Sequence, residues 1–256
     1  MKTINQEGIS FTLDSIDYGK IEVKKIEKKV FDEPVPMMAA PEHVCAYLED
    51  TRPLPAFEKG ARYFFPARST ICVFPLEDKT VDSYSKSYSE IHTGTGKVLE
   101  LLLSDINPLE KKCVRCLPDL WADMRGAGNT LRAKYSKVKF QSGEGILFLT
   151  QYSQGMYPSP ANNEELTYSF QGVTEDRKFY FTAALAVTHS QLPKGIDVTR
   201  DVIGFFDSGE DLSYLEDDAK TLDGFSDESF QPSLKKLQAL IATINITSQP
   251  TTKKSK

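Results

Sequence analysis

Polar side chains with hydrogen-bonding groups cluster around one predicted strand turn in the middle of this 256-residue chain. Amides and carboxylates that converge can line a groove for a sugar or a peptide. In the other interpretation, which the residue types favour, the asparagines make turn hydrogen bonds and the glutamines anchor loops against the sheet edge. The candidate ligand-binding residues are Gln151, Gln154, Tyr157, Asn162, Asn163, Glu165, Gln171 and His189.

His189 is also a candidate base, because it follows a predicted strand and has Ser190 beside it. Nucleophilic catalysis requires a base next to the attacking hydroxyl or thiol. The chain has no G-x-S-x-G motif, so a structural histidine at the end of a sheet is the preferred interpretation. Adjacent carboxylates, such as Glu164 with Glu165 and the predicted helix residues Glu216-Asp-Asp218, could serve a glycosidase only if two of them converge across a cleft. Solvation explains those on helix faces. The sequence therefore assigns no catalytic residue.

The four cysteines bear on the compartment of the protein. Cys45 and Cys72 lie in strand-like runs, so a bridge between neighbouring strands is geometrically possible. Cys113 and Cys116 form a single C-x-x-C without the thioredoxin-like context of a redox pair, which favours a local disulfide or two inert thiols. An even count suggests two disulfides in an exported protein and buried thiols in a cytosolic one.

Metal binding is not expected from this sequence. Structural zinc requires four ligands, typically two C-x-x-C pairs, and only one such pair is present. The acidic stretch from 207 to 228 lacks the regular spacing of a calcium loop. We therefore predict no metal and no cofactor.

Alternating apolar residues predict the strands that must position these groups. Leu166 to Gln171 and Phe179 to Val187 both alternate with a period of two, which is typical of half-buried strands. Ile146 to Tyr152 is a third run, and it follows Leu131 to Phe140 through a glycine turn. Four successive antiparallel strands, a meander, are predicted. The second face of this meander is apolar enough that we expect another layer to cover it.

Further strands and helices complete an α+β pattern. Ile9 to Leu13 and Lys20 to Ile26 are predicted to form an opening hairpin, and His43 to Leu48 and Thr70 to Phe74 are two more strands. Helices are predicted over 98–106, 117–124, 212–222 and 234–244 from their apolar spacing. We expect one domain over 1–247 and a disordered polar tail over 248–256.

Composition excludes several classes of protein. A hydrophobic content of 40% and a charged content of 26% are typical of a globular protein. A net charge of −5 argues against nucleic acid as a partner. No apolar run approaches the roughly 20 residues that a membrane helix requires. The opening MKTINQEG lacks an apolar signal core, so the chain is expected to be either cytosolic or a mature exported form with an added methionine.

The segment from Gly143 to His189 resembles a group of uncharacterised bacterial exported proteins and lipoproteins. The shared residues are Gly143, Gly145, Phe148-Leu-Thr-Gln-Tyr152, Gln154, Asn162-Asn-Glu-Glu-Leu166, Tyr168, Phe170-Gln-Gly172, Thr174, Asp176 and His189. Leu147 departs from the pattern, since that group often has a basic residue there. More distantly, the opening strands and closing helix are similar to PsbP-like and Mog1-like folds. That resemblance implies an α/β/α sandwich that acts by binding.

These observations predict an exported or envelope-associated monomer that binds or has a structural role without catalysis. Its partner would be a small molecule, a glycan or a protein. One alternative is a hydrolase of carbohydrate or peptide that uses helix carboxylates or His189. Another is a cytoplasmic, Mog1-like partner-binding factor, which would have free thiols.

Overall fold

The computed structural model of the protein describes residues 1–14, 16, 18–27, 42–50, 69–75, 128–153, 159–195 and 213–247. These residues form two antiparallel sheets, of seven and three strands, together with two short strand pairs and two α-helices. The strands are β1 (Lys2–Gln6), β2 (Ile9–Leu13), β3 (Tyr18–Ile26), β4 (His43–Asp50), β5 (Ser69–Pro75), β6 (Gly128–Asn129), β7 (Ala133–Phe140), β8 (Gly143–Thr150), β9 (Tyr152–Ser153), β10 (Thr167–Thr174), β11 (Phe179–Ala186), β12 (Thr188–His189), β13 (Phe230–Gln231) and β14 (Asn245–Ile246). The helices are α1 (Ser213–Gly224) and α2 (Leu234–Ala242), with a 3-10 turn at Asp227–Ser229 between them.

The large sheet has the strand order β3-β4-β5-β11-β10-β8-β7. Its last four strands are the predicted meander, which is confirmed, and the predicted α+β class is confirmed with it. The strands at 43–48 and 70–74 are confirmed as β4 and β5. β5 pairs with β11, so residues more than a hundred positions apart meet at the centre of the sheet. The central strands are thereby held between neighbours on both sides.

One face of the large sheet forms the main core with α2 and the small sheet. α2 contributes its apolar stripe, which includes Leu237 and Ile241, and β2 contributes Phe11. Gly145 lies opposite Gly172 across β8 and β10, and the ring of Phe170 lies close to both glycines. A side chain at either glycine would meet that ring, which explains why glycine occupies two positions in the middle of buried strands.

The second face of the large sheet is also buried, as its apolar composition predicts. A row of directly paired residues crosses this face, from Cys45 through Cys72, Thr182 and Gln171 to Ile146. Each of these side chains is buried. The predicted layer over the second face is therefore supported by burial on that face.

Cys45 and Cys72 form a disulfide between β4 and β5, with their Cα atoms 4.1 Å apart. Both cysteines are almost fully buried, with exposed fractions of 2% and 3%. The bridge proposed between neighbouring strands is therefore present. The other cysteine pair, Cys113 and Cys116, lies outside the described residues, as do the predicted helices at 98–106 and 117–124 and the tail at 248–256.

The predicted opening hairpin is wrong. β2 pairs with β1 and with β14 in the small sheet, whereas β3 pairs with β4 in the large sheet. The true hairpin turns at Glu7 and Gly8, whose φ angles of 51° and 79° are both positive. Two positive φ angles are typical of the two-residue turn that best matches strand twist. The polar composition of β1 concealed this strand from the pattern of alternation.

The two C-terminal helices are confirmed with shifted ends. α1 ends at Gly224 rather than at residue 222, and α2 ends at Ala242 rather than at residue 244. Ser233 precedes α2 as its N-cap residue. Neither helix, nor any other helix among the described residues, has the length and apolar character needed to cross a membrane.

Candidate functional site

Four of the side chains around the predicted strand turn form one hydrogen-bonded group, here called the polar loop cluster: Gln151, Ser159, Asn162 and Glu165. Gln151 follows directly after β8, and its exposed fraction is only 1%. Its Oε1 accepts the backbone N–H of Asn162 at 2.7 Å, and its Nε2 donates to Glu165 Oε2 at 3.2 Å. A buried side-chain amide therefore links the end of β8 to the loop before β10.

The carboxylate of Glu165 is the acceptor at the centre of the polar loop cluster. Its Oε2 accepts from Asn162 Nδ2 at 3.2 Å, from Gln151 Nε2 at 3.2 Å and from Ser159 Oγ. Burial raises the pKa of this carboxyl above its usual range, and the charge of Glu164 acts in the same direction. The hydrogen bonds from Ser159 and Asn162 lower the pKa and offset part of this effect.

Asn162 shapes the loop locally. Its Oδ1 accepts the backbone N–H groups of Glu164 and Glu165 at 3.0 and 3.1 Å, which is the side-chain turn expected of asparagine at this kind of position. Its Nδ2 also donates to the Pro160 carbonyl at 3.0 Å. These contacts are the turn hydrogen bonds that the sequence suggested for Asn162.

Helix α1 holds the same loop from outside the sheet. Asp218 Oδ2 accepts the backbone N–H of Ala161 at 2.7 Å. The sequence places Asp218 on the face of a predicted helix, where solvation would explain its charge, and does not indicate this contact. Asp218 and Ser159 are the two members of the site that sequence reasoning missed. Neither lies in a recognisable motif, and only their contacts in the fold identify them.

Asn163 and His189 meet in a second arrangement beside the polar loop cluster. Asn163 Oδ1 accepts the backbone N–H of His189 at 2.7 Å, and Asn163 Nδ2 donates to the carbonyls of His189 and Leu192 at 3.0 Å each. The backbone N–H of Asn163 donates to the Pro193 carbonyl at 2.9 Å. Asn163 therefore fixes the chain that follows β12.

The imidazole of His189 is buried and stacks on Phe225, with ring centroids 3.8 Å apart and an interplanar angle of 8°. Its Nδ1 accepts the backbone N–H of Gln191 at 3.2 Å, so the neutral ring carries its proton on Nε2. Nε2 lies 2.9 Å from Ser229 Oγ, and this hydroxyl in turn donates to the Ser226 carbonyl at 2.6 Å. Burial lowers the pKa of His189.

The direction of these bonds bears on the hydrolase alternative. A catalytic serine donates its proton to the base, whereas Ser229 accepts from His189 and donates elsewhere. Because Nδ1 is already an acceptor, it cannot donate to an orienting carboxylate. In this arrangement the hydrogen bond between His189 and Ser229 anchors the 3-10 turn against β12.

The remaining candidate residues lie apart. Gln171 is buried in the middle of the second face of the large sheet, directly opposite Ile146, and takes no part in the polar loop cluster. Gln154 and Tyr157 lie outside the described residues. The structure therefore unites Gln151, Asn162 and Glu165, places Asn163 and His189 beside them, and separates Gln171.

Among the described residues, no three His, Cys, Asp or Glu side chains are grouped so that they could hold a metal ion. Comparisons of this chain with protein-family models, curated proteins and solved structures find no match.

Proposed function

We propose that the protein is an exported or envelope-associated domain that binds a partner or has a structural role and catalyses no reaction. The observation that carries this proposal is the buried disulfide between Cys45 and Cys72. Disulfides form and persist in oxidising compartments and are rare in the reducing cytosol. A bridge in the middle of a sheet is a structural element, and it favours export over the cytoplasmic alternative.

The polar loop cluster supports a binding role. The loop from Ser159 to Leu166 has no regular secondary structure, yet buried amides, a carboxylate and α1 fix it in one conformation. A loop that is ordered before binding loses less conformational entropy when a partner arrives. The partner that fits this proposal is a glycan, a protein or a small molecule that contacts the rim of the loop.

An α/β/α sandwich of the PsbP-like or Mog1-like kind is the architecture we propose. α1 and α2 lie on one side of the large sheet, and burial of the second face supports a layer on the other side. The proposed relationship to uncharacterised bacterial exported proteins and lipoproteins rests on the residues from Gly143 to His189. Several of them, including Asn162 and Asn163, hold loops in place here.

Fractionation of the native host tests the compartment. Cells are fractionated in the presence of an alkylating reagent, and the protein is identified in each fraction with an antibody. Each fraction is then denatured in urea and alkylated without a reductant, so that buried free thiols also react. Peptide mass mapping then reports whether Cys45 and Cys72 were oxidised. We expect protein in the exported or envelope fraction with both cysteines in disulfide form. Cytosolic protein with alkylated Cys45 and Cys72 would contradict the proposal and favour the intracellular factor.

Native mass spectrometry followed by glycan and peptide arrays tests binding. A retained ligand adds mass under native conditions only. We expect that Glu164→Gln, which changes a charge beside the loop while leaving the three hydrogen bonds to Glu165 in place, weakens array binding. Turnover of a carbohydrate or peptide substrate by the wild-type protein would instead support the hydrolase.

A further inference from the structure

Among the described residues, four strands lie at the edge of a sheet of three or more strands: β1, β3, β7 and the two-residue β14. Two of the three longer ones carry features that block further pairing. β3 has Lys20, Lys24 and Lys25 and a register shift near its start. β7 likewise has three lysines and a register shift at the residues after Ala133. Lysines and bulges on an edge strand are known to prevent pairing between molecules. β1, at the edge of the small sheet, has a regular register and a single lysine at its first residue.

The turn at Glu7 and Gly8 determines which backbone groups β1 presents to its open side. In a two-residue hairpin the closing pair, here Gln6 and Ile9, is hydrogen-bonded, and pairs then alternate along the ladder. Asn5 and Thr3 therefore belong to non-hydrogen-bonded pairs. Their N–H and C=O groups point away from β2 toward the open edge.

Two contacts support this assignment. Thr12, the partner of Thr3, donates its backbone N–H to Thr243 Oγ1 at 2.9 Å on the side of β2 away from β1. The hydroxyls of Thr3 and Thr12 lie 3.2 Å apart, as expected for the close side chains of a non-hydrogen-bonded pair. Four of the five residues of β1 are exposed, and Ile4 is half-buried against the main core.

We propose that β1 pairs with β1 of a second copy of this chain in antiparallel orientation, with Ile4 opposite Ile4. In this register Thr3 lies opposite Asn5 of the other copy, so the outward backbone groups of both residues form four hydrogen bonds across the two-fold axis. The two small sheets then become one continuous six-stranded sheet.

Side chains in this register are compatible with self-pairing. Lys2 lies opposite Gln6, so no like charges face each other. Ile4 shares a face with its buried partner Phe11, and the two Ile4 side chains would meet between the two cores. The seam is far smaller than a standard interface of about 1,600 Å², so the association is weak and depends on concentration. This proposal differs from the sequence-based prediction of a monomer.

Sedimentation velocity over a range of concentrations tests the association. Asn5→Pro removes one outward N–H per copy and leaves the β1–β2 ladder intact, because proline is tolerated where the N–H faces solvent. Asn5→Ala is the matched control, since it keeps the backbone donor. We expect wild type and Asn5→Ala to dimerise alike, and Asn5→Pro to bind at least about tenfold more weakly.

A wild-type chain that remains monomeric at every concentration would overturn the proposal. An extended segment of another protein would then be the candidate to pair with β1. Equal dimerisation of Asn5→Pro and Asn5→Ala would also overturn it, because the dimer would then use another surface.

Cysteine cross-linking tests the register independently. Ile4→Cys places two thiols opposite each other at a non-hydrogen-bonded pair, where the spacing suits a disulfide. Thr3→Cys is the control. The Thr3 residues of the two copies would face each other only in another register, in which each strand is shifted by one residue. We expect mild oxidation to give a covalent dimer of Ile4→Cys and much less of Thr3→Cys. The reverse order, or no dimer from either variant, would refute the register.

Discussion

The side chain of Asn163 binds both backbone polar groups of His189, accepting its N–H at 2.7 Å and donating to its carbonyl at 3.0 Å. These residues are 26 positions apart, and the contact joins the loop before β10 to the chain after β11. It gives Asn163 a structural role independent of any ligand.

Replacing Asn163 with alanine should destabilise the fold. Asn163→Ala removes three hydrogen bonds and leaves the partly buried N–H of His189 without its acceptor, so we expect a loss of about 1–3 kcal/mol in the free energy of unfolding. Urea denaturation measures the change. The control is Gln191→Ala, an exposed position at which the change should stay within about 0.5 kcal/mol. Equal effects of the two substitutions would contradict this role.

The disulfide should stabilise the fold and resist reduction. Cys45 and Cys72 are 27 residues apart, and a loop of this length predicts a loss of about 3–4 kcal/mol when both are replaced by alanine. Because both sulfurs are buried, a reductant should reach them only after unfolding. Mass mapping after reduction and alkylation, with and without urea, checks this expectation. Rapid alkylation of native Cys45 would show that the bridge is accessible.

Glu165 should make stability depend on pH. Its raised pKa means that the folded protein binds the proton more tightly than the unfolded chain. The contribution of Glu165 to the free energy of unfolding is therefore fully present below the pKa of about 4.3 that it has in the unfolded chain. This contribution is lost as pH rises through the pKa that Glu165 has in the folded protein. Glu165→Gln keeps an acceptor for Ser159 and removes the titration. We expect wild type to lose stability relative to Glu165→Gln as pH rises, measured by urea midpoints. A difference in stability between the two proteins that does not change with pH would disprove the raised pKa of Glu165.

His189 should titrate below the ordinary histidine range of about 6.5, because burial lowers its pKa. The unfolded chain then binds the proton more readily, so the contribution of His189 to stability is present above about pH 6.5 and lost as pH falls. Proton–nitrogen NMR should give this midpoint and a proton on Nε2, with His189→Gln identifying the resonance. A midpoint above 6.5 would instead suit a charged catalytic pair.

Gly172 should tolerate no side chain. A Cβ there would lie 2.6 Å from the ring of Phe170 and 2.9 Å from the Glu144 carbonyl, so Gly172→Ala should cost about 1–3 kcal/mol. Gly224 is the matched control, because nothing lies within 4 Å of its added Cβ. Gly224→Ala at the end of α1 should be neutral or stabilising by up to about 1 kcal/mol. Thermal denaturation compares the two variants, and similar losses would refute the steric argument.

The meander could be predicted because its strands carry a strong local signal. Phe179 to Ala186 alternates between two buried faces, and only short turns separate it from its neighbour β10. The partner of β2 could not be predicted in the same way. Ile9, Phe11 and Leu13 identify the strand, but its partner β1 is mostly polar, and its other partner β14 lies at the far end of the sequence.

In the candidate site, too, local contacts could be predicted from the sequence and long-range contacts could not. Asn162 and Glu165 lie close in sequence, and their turn chemistry identifies them. Asp218 binds the backbone of Ala161, and a contact from a side chain to a backbone group leaves no pattern in the sequence. The role of His189 likewise depends on Phe225 and Ser229, which only the tertiary fold brings to the ring.

The pairing of Ile9 with Ile246 has a consequence for the biogenesis of this chain. These two residues are 237 positions apart, so β2 cannot acquire its second neighbour until the chain has been synthesised through β14. The large sheet is also completed late, because β5 pairs with β11, which lies more than a hundred residues further along the chain. Both sheets should therefore stay incomplete on a nascent chain while the residues between their paired strands are being synthesised.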